Sequence, residues 1–223
     1  SIETGDADLG GDDTISIADG NNVIMGGYGA DTITTGDGND IIFGDDGELK
    51  YTGGILQTLT SIQYENGGDD TITSSAGNNI IVGGYGADSI TTGTGNDKIL
   101  GDHGALHYLA DGKLDNLESI SEETGGDDQI ITDGGDNWIL GGVGEDRIET
   151  GSGEDVVLGD VGTLRVDSAG NLLRIWSGQT AVGGKDQIVV LGGMNLIMGG
   201  YGADTITTGD GNDIIFGDDG EMK

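Results

Sequence analysis

A nine-residue period constrains this chain more than any other feature. The first run divides into Asp8 to Ser16, Ile17 to Met25, Gly26 to Thr34 and Thr35 to Phe43. In each rung the sixth place is Asp or Asn and the eighth is aliphatic. The sixth places are Asp13, Asn22, Asp31 and Asp40, then Asp70, Asn79, Asp88 and Asp97. They return as Asp128, Asn137, Asp146 and Asp155, and as Asp186, Asn195, Asp204 and Asp213. The eighth places are all Ile except Val157. Sixteen of sixteen rungs obey both rules, so the chain is read as a repeat before anything else.

A longer period encloses the short one. "GGDD" opens at Gly10, Gly67 and Gly125 and returns as "GGKD" at Gly183, in steps of 57, 58 and 58 residues. Ile24 to Glu48 is identical to Ile197 to Glu221. Four copies of one block follow, with rolls expected over 1–47, 65–104, 123–162 and 181–223 and insertions over 48–64, 105–122 and 163–180. Ser1-Ile2 matches Ser61-Ile62 and Ser119-Ile120, so the chain reads as a piece cut in phase from a longer array, with neighbouring copies of the repeat as partners.

One rung explains its own composition. Gly at the first, second and fourth places permits positive φ and a tight turn. Three residues then extend as a strand, with the eighth pointing opposite to the seventh and ninth. Successive rungs cross opposite faces of a flattened coil, so two rungs complete a turn. Sixth-place residues eighteen apart then stack, Asp13 with Asp31 on one edge and Asn22 with Asp40 on the other.

Stacked carboxylates repel, and the whole chain carries a formal charge of −33. Such a chain disfavours nucleic acid and anionic lipid and favours cations. Glycine turns offer backbone carbonyls beside the Asp oxygens, an all-oxygen donor set that suits Ca²⁺. With no Cys and two His, zinc and copper chemistry is disfavoured, and the strict octahedron of Mg²⁺ fits flexible turns less well. His103 and His107 stand four apart, but other copies place Asp46 and Lys50 there, so no metal role is assigned to them.

"GGYGADTIT" matches the G-G-x-G-x-D-x-U-x signature of the RTX (repeats-in-toxin) calcium-binding β-rolls at every specified place. The chain resembles that family over all its rungs. The resemblance implies an all-β parallel β-roll, a β-solenoid, with Ca²⁺ between successive turns on each edge and the sixth-place residues as ligands. It also implies export by type I secretion and folding in external Ca²⁺. The second rungs depart from the pattern, with Ile17-Ala18 and Ser74-Ser75 for the leading Gly pair and Asn for Asp, so weaker or different coordination is expected there. Pairing rungs one with three and two with four gives at least eight ions, rising to about twelve if the "GDDG" turn at Gly44 caps the coil beside Asp31.

The insertions lack the nine-residue period. Each begins apolar–polar–apolar (Leu49-Lys50-Tyr51, Leu106-His107-Tyr108, Leu164-Arg165-Val166), passes a Gly-containing turn and ends in a second apolar run. That predicts a β-hairpin, with a short helix for a second arm such as "KLDNLESI" as the alternative. Outward places on odd rungs are mostly Thr and Ser, whereas on even rungs they are mostly apolar, as at Ile41, Phe43, Trp138 and Leu140. The hairpins are therefore expected to pack on the even face. The bland alternative is that this face contacts another chain.

No apolar run has the length of a membrane span, and no H-E-x-x-H, G-x-S-x-G or P-loop motif is present. Every carboxylate pair is a copy of the next, which reads as structural metal and not as an enzyme. The expected function is a calcium-binding structural repeat of an extracellular or cell-surface bacterial protein, resembling the extender region of a large adhesin. The runner-up is the RTX secretion and folding region of an extracellular enzyme or toxin. A lesser alternative rests on the Thr columns, since some RTX-type modules resemble this and bind ice.

Overall fold

A computed structural model describes residues 1–4, 10–63, 65–120, 124–178 and 182–223. The start of the first rung, at Asp8-Leu9, lies outside them. Among the described residues every regular element is a strand, and the strands form three sheets of eight. Odd rungs build one parallel sheet from Thr14–Ile17, Thr32–Thr35, Thr71–Ser74, Ser89–Thr94, Gln129–Gly134, Arg147–Ser152, Gln187–Gly192 and Thr205–Asp210. Even rungs build the second from Val23–Met25, Ile41–Phe43, Ile80–Val82, Lys98–Leu100, Trp138–Gly142, Val156–Asp160, Leu196–Met198 and Ile214–Phe216. The chain is an all-β parallel β-roll.

Between the two parallel sheets runs a core one side chain thick. Ile33, Ile42, Ile72, Ile81, Ile90 and Ile99 all have 0% exposure, and the eighth-place residues of later blocks continue the row. Odd strands contribute a second inward column that the nine-residue frame assigned to turns: Ile17, Thr35, Ser74, Thr92, Thr132, Thr150 and Val190. Odd strands are therefore four to six residues long, and most even strands are three. The missing glycines of the second rungs have this physical reason, since a residue at the end of a strand needs a side chain to pack.

The insertions form the third sheet, antiparallel throughout, from Ile2–Glu3, Gly47–Thr52, Ile55–Ser61, Gly104–Tyr108, Leu114–Ser119, Gly162–Val166, Leu172–Ser177 and Glu221–Met222. Both arms of each insertion are strands, so "KLDNLESI" is not helical. Successive hairpins also pair with one another, Leu59 opposite Leu106 and Leu117 opposite Leu164. One apolar column thus crosses the sheet through Leu49, Leu59, Leu106, Leu117, Leu164 and Ile175, every member at 0% exposure.

That column lies on the even sheet, as its apolar outer face predicts. Phe43, Val82, Leu100, Leu140, Leu158 and Met198 form a second core with it. Lys98 is the polar exception on this face, and its ammonium stands 5.4 Å from the Trp138 ring centre, a cation–π arrangement that lets the stem remain in the apolar layer. Ser1-Ile2 does not take the phase of Ser61-Ile62. Ile2 pairs with Leu49 as Leu59 pairs with Leu106, three residues earlier, because cross-strand packing of the apolar column sets the register.

The odd sheet is uncovered. Its Thr columns are in register from Thr14 and Thr32 to Thr71 and are interrupted by Gln129, Ile131 and an ion pair between Arg147 and Glu149. The asymmetry gives a stability prediction. Phe43→Ala should cost about 3–5 kcal/mol, and Phe43→Lys more, because it buries a charge in the second core. Thr34→Lys, exposed on the odd face, should stay within about 0.5 kcal/mol. Denaturant unfolding in calcium measures both, and equal effects would contradict the two-core arrangement.

Candidate metal centre

The turns place every sixth-place residue on an edge of the roll, and the two edges differ. On the odd edge each backbone N–H donates to the next Asp. Asp13 N–H bonds Asp31 Oδ1 (2.6 Å), Asp31 bonds Asp70 (2.7 Å), and Asp70 bonds Asp88 (2.8 Å). The ladder continues through Asp128, Asp146 and Asp186 to Asp204. It therefore does not stop at block boundaries. The hairpin leaves the roll and returns on register, so Asp31 meets Asp70 much as Asp13 meets Asp31, beyond the within-block pairs that the nine-residue spacing suggests.

These hydrogen bonds use one oxygen only. Oδ2 of Asp31, Asp70, Asp88, Asp128, Asp146, Asp186 and Asp204 is buried with no hydrogen-bond partner. Each lies in a small recess that exists because a glycine has no side chain. A Cβ on Gly26 would collide with Asp31 Oδ2 and the Gly44 carbonyl oxygen. One on Gly44 would collide with Asp70 Oδ2 and the Gly83 carbonyl, and one on Gly83 with Asp88 Oδ2 and the Gly101 carbonyl. Gly101, Gly141, Gly159 and Gly199 repeat the arrangement. The first-place glycine is thus required for space, whereas second and fourth places need the backbone, as at Gly27 (φ 103°) and Gly29 (φ 121°).

A buried carboxylate oxygen without a donor costs free energy. Here it faces a backbone carbonyl, another acceptor, so the two cannot bond each other, and the carbonyls of Gly44 and Gly101 already accept the N–H groups of Gly27 and Gly84. A hard cation that takes oxygen ligands relieves the carboxylate oxygen and can share the carbonyl's second lone pair, and the recesses fit Ca²⁺ on that ground. Among the described residues no group of three or more His, Cys, Asp or Glu side chains stands ready to hold a metal. Any ion would draw on single carboxylates and main-chain oxygens.

The even edge is quieter. Asn22 N–H bonds Asp40 Oδ1 (2.8 Å), and the Asn22 amide Nδ2 donates to the same oxygen (3.0 Å) and to the Gly20 carbonyl (2.9 Å). Asn137 and Asn195 make the corresponding bonds to Asp155 and Asp213. Asn79 bonds Asp97 Oδ1 through its N–H (2.8 Å) and the Gly77 carbonyl through its amide (3.2 Å). The amide supplies the donors that the odd edge lacks. Asp40 and Asp97 still keep an unpartnered Oδ2, while Asp155 Oδ2 accepts from Thr150 Oγ1 (2.7 Å).

A further aspartate was not among the residues expected from the period. In the "GDDG" turn, the Asp45 carboxylate accepts N–H donors of Gly68 and Tyr85, in both coils of the next block. Asp102 takes Gly126 and Val143, and Asp160 takes Gly184 and Tyr201. Each clamps one block to the next. The signal was the "GD" repeated at Gly44, Gly101, Gly159 and Gly217. The turn's Gly44 carbonyl does lie beside Asp31, but its Asp reaches forward.

Burial dominates the electrostatics. It pushes Asp45 up to about 9 and Asp160 up to about 8, with neighbouring carboxylates adding to the rise. Asp70 and Asp186 are raised to about 7, again mainly by burial. Asp88, Asp102, Asp128 and Asp146 are held well above the usual carboxylate range by the same cause. Five ladder carboxylates and three clamp carboxylates thus resist ionisation, and a cation held beside them would favour their charged forms.

His107 Nε2 lies 3.1 Å from Glu118 Oε1 across its own hairpin. The described residues hold no helix long and apolar enough to cross a membrane. No curated protein and no solved structure matches the chain. The RTX calcium-binding nonapeptide repeat matches it in four copies, over residues 17–48, 66–104, 124–157 and 191–221. With its rungs, its glycine recesses and its carboxylate ladder accounted for, this chain belongs to the RTX calcium-binding nonapeptide repeat family, and it is a calcium-binding repeat region.

Proposed function

We propose that the chain is a calcium-rigidified extender of a secreted or cell-surface bacterial protein, in the manner of an adhesin stalk. Its role is structural: it folds when it meets external Ca²⁺ and holds another module away from the cell. The observation that carries this reading is the unbroken odd-edge ladder of buried carboxylates, each with an unpartnered Oδ2 beside a glycine carbonyl. A site set repeated along the described length of the roll suits a spacer. Each block adds two coils, about 10 Å of rise, so a long array of blocks makes a long rod.

The ligands assigned are the odd-edge residues Asp31, Asp70, Asp88, Asp128, Asp146, Asp186 and Asp204, with Asp13 at the exposed end. The even-edge residues Asn22, Asp40, Asn79, Asp97, Asn137, Asp155, Asn195 and Asp213 form a weaker set, because the Asn amides already supply donors. Calcium titration by calorimetry, with circular dichroism in parallel, tests this. Asp128→Ala should lose on the order of tenfold or more in calcium affinity, and Asn137→Ala much less. Equal losses would overturn the ranking of the edges, and no calcium uptake by the intact chain would overturn the function.

A further inference from the structure

Three departures from the repeat meet in the middle of the chain, between the even sheet and the second and third hairpins. Lys98 stands where the first and third blocks have Ile41 and Val156. Trp138 stands where the first and second blocks have Val23 and Ile80. Val166 stands where the first and second hairpins have Tyr51 and Tyr108. Lys98 and Trp138 are directly opposite each other in the even sheet, and Val166 pairs with Leu172 in the third hairpin.

A cleft of about 550 Å³ opens where they meet, a size that takes a small ligand. Lys98 and Trp138 line it from the even sheet, Leu114 and Val166 from the hairpins, and Asp136 and Glu154 from the even edge. One block earlier the place of Val166 belongs to Tyr108, whose ring packs against the second core. Valine lacks that ring, so the space stays open.

Lys98 gives the cleft its chemistry. The side chain is half-buried, and among the described residues no carboxylate is in ion-pair contact with it, in a chain that holds 41 acidic residues. Its sequence neighbour Asp97 attracts it from beyond ion-pair distance, and the Trp138 ring lies 5.4 Å away. Charges taken from water are ordinarily paired, so the ammonium points to an anionic group that the chain does not supply. The rim adds further polar groups. Asn96 Oδ1 accepts the Asp136 N–H (2.9 Å), which leaves the Asn96 amide nitrogen to donate. Asp136 Oδ1 accepts the Glu154 N–H (2.9 Å), which leaves Oδ2 to accept. Exposed carboxylates such as Asp136 and Glu154 hold hydroxyl groups and repel a bare anion. A fitting ligand is therefore anionic at one point and hydroxylated around it, and the indole gives it a flat apolar wall.

We propose that this cleft binds a carboxylated sugar, a uronate, with its carboxylate on Lys98 Nζ, its ring against the Trp138 indole and its hydroxyls at Asp136 and Glu154. The site goes beyond a spacer's role, because it gives one block of the array a contact of its own with an acidic glycan. Its recognition groups are separate from the odd-edge carboxylates, and calcium serves it through the fold alone.

Titration of the chain in calcium with methyl β-glucuronide tests the proposal, read by calorimetry and by the fluorescence of Trp138 in a Trp176→Phe background. Saturable binding in roughly the millimolar range is expected. Methyl β-glucoside, which lacks the carboxylate, and acetate, which lacks the sugar, should each bind about tenfold more weakly or worse. Three variants install residues that other blocks already carry at these places, so each should keep the fold: Lys98→Ile as at Ile41, Trp138→Ile as at Ile80, and Val166→Tyr as at Tyr108. Each should lower glucuronide affinity about tenfold or more, and circular dichroism checks its strand content. No saturable response up to about 50 mM glucuronide, glucoside binding as strong as glucuronide binding, or affinity unchanged in Lys98→Ile and Val166→Tyr would overturn the site. Calcium uptake is measured without the sugar, so the calcium reading and this one fail separately.

Discussion

Stripped of calcium near neutral pH, the chain is expected to lose its strand signal in a single transition and regain it when calcium returns. The cause is the cost of the folded state without a cation. Forty-eight glycines raise the entropy lost on ordering, since each has more freedom to lose than any other residue. The formal charge of −33 opposes compaction, and much of its acidic part is concentrated in two columns. Seven odd-edge carboxylates each bury an oxygen without a donor, and each such atom costs about 1–3 kcal/mol. The two apolar cores pull the other way. The inner core is one side chain thick, and the outer one depends on the hairpin sheet, whose first arms all leave the roll from a "GD" turn in the odd-edge stack. Losing the edge therefore removes the support of both cores. Calcium binding supplies what the apolar terms lack, so that binding energy is folding energy. Far-ultraviolet circular dichroism through a calcium titration reads this directly. A cooperative, native-like strand spectrum in excess chelator would refute it.

Much of this arrangement was legible because the period is local. The alternation of a turn with a three-residue strand put each eighth-place Ile inside and each sixth-place Asp on an edge. The contrast between Thr32 and Thr34 on odd rungs and Ile41 and Phe43 on even rungs told which face the hairpins cover. What sequence spacing hid was set by contacts between distant segments. That Asp31 stacks under Asp70 across a whole hairpin follows from the return of the chain on register, which no spacing of eighteen announces. The clamp at Asp45 sits where the period breaks, and its partners Gly68 and Tyr85 belong to the next block. Asn in the second rungs read as a weaker or differently coordinated ligand, and the hydrogen bond that the Asn22 amide gives Asp40 needed the geometry of both coils. The register of Ile2 was set by the apolar column it joins opposite Leu49, three residues off the sequence match.

The second large effect is an inverted pH dependence in the calcium-stripped chain, which should fold better in mild acid than at neutral pH. Most proteins lose stability in acid because native carboxylates are paired and their pKa values are depressed. Here the sign is reversed. Burial raises Asp45 to about 9, Asp160 to about 8, and Asp70 and Asp186 to about 7, and lifts Asp88, Asp102, Asp128 and Asp146 well above the usual range. The unfolded chain releases these protons near pH 4. Between about pH 4 and the raised values the folded state holds more protons than the unfolded one, so stability falls as pH rises. The contribution is complete below the unfolded value and is lost progressively as pH climbs through about 7 to 9. With calcium on the odd edge as proposed, protons and calcium would do the same work, each neutralising that column, and would compete for it. Calcium should flatten the profile, and its affinity should increase with pH because its ligands must be ionised. The measurement is the far-ultraviolet strand signal of stripped protein between about pH 5 and pH 7.5, with light scattering to exclude self-association as the isoelectric point near 4.1 is approached. A strand signal that stays level or rises with pH in the stripped protein would show that the buried carboxylates are not what keeps the metal-free chain from folding.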